Sequence, residues 1–137
     1  MITTNLVLTQ ADREELQWLI DSSRERRHVD VDRLDELENE LRRAKVVQPG
    51  EVPPDLVTMN SRVRIKDLDS GRNFTYQVVF PENASLARNR ISILAPIGTA
   101  LIGYRAGSTI NWRVPSGRRR FQIVEVEYQP EAATTVA

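Results

Sequence analysis

A proline-rich segment near the middle of the chain separates two stretches with different hydrophobic patterns. Residues 48–55 have the sequence Gln-Pro-Gly-Glu-Val-Pro-Pro-Asp. Proline lacks an amide donor and pushes the residue before it out of helical geometry, so a helix cannot continue through this segment. We therefore place a domain boundary here and predict an N-terminal unit at residues 1–48 and a C-terminal unit at residues 55–137.

The N-terminal unit is predicted to be a pair of short antiparallel helices, a small coiled coil. Thr9, followed three residues later by Asp12, resembles a capping box, and the first helix should begin near Gln10. Every residue from 21 to 28 is polar, so the far end of the hairpin should project into water. A second stripe with helical spacing consists of Val31, Leu34, Leu37, Leu41 and Ala44.

The expected lengths of about 18 and 15 residues correspond to about 27 and 22 Å at 1.5 Å per residue. We expect the one tryptophan of this region, Trp18, to pack at the base of the hairpin beside Leu19.

The C-terminal unit alternates apolar and polar residues with a period near two, which predicts an antiparallel sheet. Asp69-Ser70-Gly71 is typical of a hairpin turn and lacks the later glutamate that a calcium loop requires. The apolar pattern changes parity between Ile123 and Val124, which indicates a β-bulge. We expect the tail from Gln129 to be frayed. The predicted strands are 57–59, 63–65, 74–78, 90–94, 109–114 and 120–128, with a short helix at 97–103, and the fold class is α+β.

Composition excludes several kinds of site. The chain has no cysteine, which removes disulfides, thiolate metal sites and thiol nucleophiles and fits a reducing compartment. The single histidine, His28, has no second histidine with which to form a metal site, and we interpret it as a solvated turn residue. We predict no catalytic residue, no cofactor and no metal. The absence of a long apolar run and of a signal-peptide pattern predicts a cytoplasmic protein without a membrane partner.

The charge distribution argues against direct specific binding of DNA. Residues 1–50 contain 8 basic and 11 acidic side chains, and residues 51–137 contain 11 and 8, for net charges of −3 and +3. Proteins that hold nucleic acid by neutralising phosphates need a larger excess of positive charge.

Several motifs of the C-terminal unit resemble, in the same order, the C-terminal FKBP-like domain of the bacterial Gre transcript-cleavage factors. They are Val57-Thr58-Met59-Asn60-Ser61-Arg62-Val63, the run from Ile91 to Gly103, Ala106-Gly107-Ser108, and Val114-Pro115-Ser116-Gly117. Within that superfamily, the short hairpin, the form of the first motif and the segment Glu127–Ala132 are similar to the regulators of nucleoside diphosphate kinase. This second resemblance covers nearly the whole chain.

The resemblance implies a protein that binds RNA polymerase at the rim of its secondary channel, with the sheet domain docked and the hairpin pointing inward. In Gre factors an acidic hairpin tip reaches the active site and helps to hold a metal ion for cleavage. The short hairpin of this chain should stop before that point. We interpret the acidic residues at its tip as helix caps and solubilising groups; they are Asp30, Asp32 and Asp35.

Two segments are candidate polymerase contacts. The first is an apolar loop that either docks on the partner or only closes the core, formed by Ala95, Pro96, Ile97 and Gly98. The second is a basic run that either contacts an acidic surface or is a solvated hairpin tip, formed by Arg118, Arg119 and Arg120.

We therefore expect a non-enzymatic, polymerase-binding regulator that competes with Gre-type factors. Two alternatives remain open. One is a cleavage factor that acts through an acidic hairpin tip, and the other is an FKBP-like prolyl isomerase, which only the type of sheet suggests.

Overall fold

The computed structural model describes residues 7–25, 31–114 and 117–134 and has an α+β architecture. The N-terminal part contains two helices between two short strands. These elements are β1 (Val7–Thr9), α1 (Gln10–Ser23), α2 (Val31–Arg42) and β2 (Lys45–Val47).

The predicted start of the first helix is confirmed. The Thr9 side chain accepts a hydrogen bond from the backbone amide of Asp12 at 3.3 Å and so satisfies one free amide of the first turn. Both helices are shorter than expected, with 14 and 12 described residues. The second one ends at Arg42 because the following residues form β2, which pairs in parallel with β1 and was not predicted.

The C-terminal part is built on one five-stranded sheet. Its order is β5–β4–β3–β7–β6, and all neighbouring pairs are antiparallel except β4 with β5. The expectation of a wholly antiparallel sheet is therefore corrected at this edge. The strands are β3 (Arg62–Asp67), β4 (Asn73–Val79), β5 (Arg90–Ser92), β6 (Thr109–Val114) and β7 (Gly117–Tyr128).

The β-bulge that the sequence predicted is confirmed. Arg64 pairs with Glu125 while the next residue, Ile65, pairs with Ile123, so Val124 has no partner in the ladder and its side chain is exposed. An extra residue at this point lets Val126 pack against the same core as Phe121 and Ile123 despite the change of parity.

The segment Val57–Met59 is not a strand, contrary to the prediction. It is buried, and Val57 exchanges backbone hydrogen bonds with the loop after the short helix, donating to the Tyr104 carbonyl and accepting from the Gly103 amide. The Ser61 hydroxyl accepts from the Thr58 amide at 2.9 Å. Local side-chain hydrogen bonds of this kind favour a turn over an extended ladder.

Within the described residues, the C-terminal part also contains two short α-helices. The predicted one is confirmed as α3 (Pro96–Leu101). The tail from Gln129 is not frayed through its described part, because it forms α4 (Pro130–Thr134) with Gln129 and Glu131 buried. The Gln129 amide nitrogen donates to the backbone carbonyls of Pro53 and Leu56 at 2.7 and 2.8 Å, which fixes the start of this helix.

A single cluster of buried apolar side chains extends through both parts of the chain. Leu16, Ile20 and Leu37 enter it from the hairpin, and Ile65 and Ile123 enter it from the sheet. The proline-rich connection is itself packed, since Val52 is buried. Within the described residues, no helix is long and apolar enough to cross a membrane.

Candidate functional site

The apolar loop is held by backbone and side-chain hydrogen bonds on both sides. The Ala95 amide donates to the Ser92 carbonyl at 2.9 Å, and the Thr99 hydroxyl donates to the Ile93 carbonyl at 2.5 Å. These bonds connect the end of β5 to the first turn of α3. Ile97 is half-buried and packs against the core cluster while part of its side chain remains accessible. The loop is therefore rigidly placed, with one apolar side chain shared between core and surface.

Gly98 is required by a close approach of two backbones. A Cβ atom built at this position would lie 2.2 Å from the Ser92 carbonyl oxygen and 3.0 Å from its carbonyl carbon. Only glycine lets α3 lie this close to the end of β5. The need for glycine at position 98 is thus explained by packing against Ser92 and does not require a partner protein.

The three consecutive arginines do not form one free basic patch. Arg119 donates to the buried Asp67 carboxylate at 2.5 Å, and the same carboxylate accepts the backbone amides of Asp69 and Ser70. Burial raises the pKa of Asp67, but these hydrogen bonds and the charge of Arg119 outweigh it, so the pKa lies below its ordinary value. Arg119 therefore stabilises the turn between β3 and β4.

The other two arginines differ in their environment. Arg120 pairs with Asp69 at 3.4 Å, and both side chains are exposed. Arg118 forms no ion pair with any side chain that the structure describes, and it is exposed. Of the basic run, Arg118 is the residue available to an acidic partner.

The acidic residues near the hairpin turn have separate surroundings. Asp30 and His28 lie outside the described residues, and Asp32 is exposed in the first turn of α2. Asp35 forms an ion pair with Arg24 at 2.9 Å, and the same guanidinium contacts Glu38 at 2.8 Å. These contacts raise the pKa of Arg24, chiefly through the hydrogen bond to Asp35. Arg24, at the end of α1, thus connects the two helices through its ion pairs with Asp35 and Glu38 of α2.

Trp18 does not pack at the base of the hairpin, and the prediction for it is wrong. Its side chain is 71% exposed. Trp18 is two positions from each of the buried residues Leu16 and Ile20. Two positions correspond to about 200° around the helix axis, so Trp18 lies on the opposite side of α1. Helical spacing alone could therefore have placed Trp18 on the outer face.

A buried polar cluster joins the segment before β3 to the C-terminal helix, and no local sequence pattern predicted it. The Thr58 hydroxyl donates to the Glu131 carboxylate at 2.6 Å and contacts the Ser61 hydroxyl at 2.9 Å. Burial raises the pKa of Asp12 to about 6, and the negative charges of Glu131 and Glu15 add to this effect. Residues 58 and 131 are 73 positions apart, so no local pattern could connect them.

The predicted site residues remain in separate places. Among the described residues, no hydrogen bond or ion pair is formed between the loop at 95–98 and the arginines at 118–120, or between either group and Asp35. The same residues contain no group of three or more histidine, aspartate or glutamate side chains arranged to hold a metal ion.

Comparison with known proteins assigns this architecture to a family. Residues 51–128 match the family described as "Transcription elongation factor, GreA/GreB, C-term". The chain therefore belongs to the GreA/GreB family of transcription elongation factors, as the resemblance predicted.

Individual relatives extend the comparison to the N-terminal part. A "Regulator of nucleoside diphosphate kinase" from Escherichia coli (strain K12) is 34% identical over 97% of this chain and 96% of its own length. A "Transcription elongation factor GreA" from Verminephrobacter eiseniae (strain EF01-2) is 37% identical over 80% of this chain and 70% of its own length. A solved structure, "Prokaryotic transcription elongation factor GreA/GreB from Nitrosomonas europaea", is 39% identical, with a TM-score of 0.76 over 92% of this chain and all of that one.

Proposed function

We propose that this chain is a non-enzymatic regulator that binds RNA polymerase at the rim of the secondary channel. Its sheet part docks there, its hairpin points inward, and it competes with Gre-type factors without stimulating transcript cleavage. Membership of the GreA/GreB family supports the choice of partner. The similarity over nearly the full length to a regulator of nucleoside diphosphate kinase supports a regulatory role.

The observation that best supports the absence of cleavage is the short hairpin. Helices of 14 and 12 residues extend about 21 and 18 Å at 1.5 Å per residue. The Asp35 carboxylate, close to the turn, is engaged by Arg24. A short hairpin in which Asp35 already forms an ion pair is poorly suited to supply this carboxylate as a metal ligand deep inside a partner.

We further propose that the docking surface includes the loop Ala95–Gly98 and the exposed Arg118. The half-buried Ile97 can place an apolar side chain in an interface without reorganising the loop, because hydrogen bonds already fix both ends of this segment. Arg118 has no ion-pair partner among the described side chains and can steer the chain towards an acidic surface.

We also propose that the sheet with α3 is of the FKBP-like type and that α1 and α2 form a short coiled coil. The crossing of the two helices is supported by Gln17, which donates to Glu38 at 3.3 Å, and by the ion pairs of Arg24. Residues 1–48 and 55–137 would then be two units of one molecule, joined by a shared core.

Two measurements on the same sample test this function. Binding to core RNA polymerase is measured first, and the protein is then added at saturating concentration to a backtracked elongation complex, with a GreA protein as the positive control. We expect binding without shortened transcripts. Absence of binding contradicts the proposal, and shortened transcripts that depend on Asp32 or Asp35 favour the alternative of a cleavage factor.

A further inference from the structure

A polar depression lies at the edge of the sheet where β3, β4 and β5 meet the turn that precedes β5. Its volume is about 210 Å³, and it is lined by residues that include Arg62, Thr75, Gln77, Arg88, Asn89 and Arg90. We call it the arginine pocket. None of these residues belongs to the proposed polymerase contacts, and only Arg62 lies within one of the motifs that carry the family resemblance.

The register of the sheet brings two of the arginines onto one face. Arg62 pairs with Gln77 on β4, and Gln77 pairs with Arg90 on β5. Residues directly opposite each other in neighbouring strands point to the same side of the sheet, and neighbouring strands are about 4.8 Å apart. This side is opposite to the core, because Val63 and Ile65, which alternate with Arg62, are buried.

The third arginine reaches the same place from a turn. Arg88 ends a single-turn 3₁₀-helix (Leu86–Arg88), and Asn89 follows it with a φ of 56°. The left-handed conformation of Asn89 reverses the chain, so that Arg88 and Arg90 both line the pocket. This reversal is held by a pair of backbone hydrogen bonds between Ser85 and Arg90, each of 2.9 Å.

The pocket concentrates positive charge without an acidic residue in its described lining. Arg62 has a partial partner in Glu127, at 3.5 Å, and its guanidinium lies 5.8 Å from the centre of the Tyr128 ring. Arg88 and Arg90 form no ion pair with any described side chain. Three cations around a shallow concavity repel one another, and an anion bound between them relieves that repulsion.

The side chains that line the pocket indicate which class of anion it would bind. Guanidinium groups present planar forks of donors that match phosphate oxygens, and the Thr75 hydroxyl adds a donor beside them. The volume is below the roughly 300–1,000 Å³ of clefts that enclose drug-sized ligands. The pocket therefore suits one or two phosphate groups, with the rest of the ligand outside.

We propose that the arginine pocket is a binding site for phosphate groups, supplied either by a free polyphosphate compound or by the backbone of single-stranded RNA. The proposal does not depend on polymerase binding, because it rests on a different surface and different residues.

Pyrophosphate is the first probe. Isothermal titration at low salt, together with amide chemical shifts, is performed on the full chain and on two double variants that each remove two positive charges. R88Q/R90Q alters the pocket, whereas R42Q/R72Q alters exposed arginines elsewhere. We expect pyrophosphate to bind the original chain with shifts at Gln77 and Asn89, R88Q/R90Q to bind at least tenfold more weakly, and the control to change less than twofold.

A short single-stranded RNA is the second probe and identifies the source of the phosphates. RNA that binds more tightly than pyrophosphate and loses affinity in R88Q/R90Q supports a nucleic-acid backbone, and the reverse order of affinities supports a free compound. Thermal melts check that both double variants fold. The proposal is overturned if millimolar pyrophosphate and RNA both fail to bind, or if the two double variants lose affinity equally, since the effect then follows net charge alone.

Discussion

At the scale of single residues, Asp12 is the side chain whose protonation most clearly affects folding. Burial raises its pKa to about 6, and Glu131 and Glu15 add negative charge nearby. A carboxyl group with a raised pKa in the folded state favours folding when protonated. Its contribution to stability is therefore present at pH 4 and is lost as the pH rises from about 4 to about 6.

Replacing Asp12 with Asn should stabilise the protein at pH 7 and not at pH 4. The rise in the pKa of Asp12 to about 6 corresponds to a cost of at most about 3 kcal/mol for the ionised form. Partial solvent exposure and loss of the favourable charge at the start of α1 reduce the expected gain to about 1 kcal/mol. Urea unfolding at both pH values measures the difference. Asp21→Asn, an exposed carboxylate on the same helix, is the matched control. The explanation is wrong if the difference in unfolding free energy between Asp12→Asn and the original chain is no larger at pH 7 than at pH 4.

Gly98 should not tolerate a side chain. Gly98→Ala places a methyl group against the Ser92 carbonyl, so we expect a loss of about 1–3 kcal/mol, the usual cost of overpacking. Thermal melts measure it. Ala100→Ser, a change of one atom on the same helix at a half-buried position, serves as the comparison. A Gly98→Ala protein that melts like the original chain would show that α3 can move away from β5 at little cost.

Ile97 is expected to provide more of the polymerase-binding energy than Arg118. A few desolvated side chains dominate most interfaces, so Ile97→Asp should weaken binding by more than about 2 kcal/mol, whereas Arg118→Ala should cost less and mainly change the salt dependence. Leu86→Asp, which adds a charge at an 88% exposed leucine, is the matched control and should bind normally.

Because Ile97 also packs against the core, melts must accompany these binding measurements. A folded Ile97→Asp protein with unchanged affinity removes the loop from the interface and leaves Arg118 as the next candidate.

At the scale of elements, local signals were sufficient wherever local interactions decide the structure. The Thr9 cap, the turn at Asp69-Ser70-Gly71, the short helix that begins at Pro96 and the bulge at Val124 were all predicted from neighbouring residues. The errors arose where contacts between residues far apart in sequence determine the structure. Val57–Met59 alternates like a strand, but Thr58 bonds to Ser61 and Glu131, and the segment turns instead.

The C-terminal helix α4 also depends on contacts between residues far apart in sequence. Its contribution to stability can be tested by truncation. Its order depends on Gln129 binding carbonyls near the proline-rich segment and on Glu131 accepting from Thr58, contacts more than 70 residues apart in sequence. A chain that ends at Tyr128 leaves those buried groups unpaired, so we expect it to lose about 2–4 kcal/mol in urea unfolding. A chain that ends at Thr134 keeps every contact described for this helix and should match the full-length protein. Equal stability of the two truncated chains would mean that α4 contributes nothing to the fold.

At the scale of the whole molecule, the candidate site was less accessible to sequence reasoning than the fold. The sequence predicted Ala95–Gly98 and the arginines at 118–120 as candidate contacts from their apolar and basic character. Only the structure shows that Arg119 is bound to Asp67 and that Arg118 is exposed without an ion pair among the described side chains. The pairing of Arg24 with Asp35 likewise depends on how the two helices approach each other. The arginine pocket depends on the register of three strands, which composition does not determine.

Competition with a GreA protein distinguishes a regulator that occupies the polymerase site of Gre-type factors without stimulating cleavage, as we propose, from a cleavage factor. A backtracked elongation complex is given a fixed, subsaturating amount of a GreA protein, and transcript shortening is followed as the chain is added up to concentrations that saturate its own polymerase binding. Folded Ile97→Asp protein is the matched competitor. We expect the original chain to slow cleavage progressively towards the rate without GreA and the variant to need a far higher concentration. Unchanged cleavage while the chain is demonstrably bound to polymerase, or faster cleavage on adding it, would rule out the proposed competition.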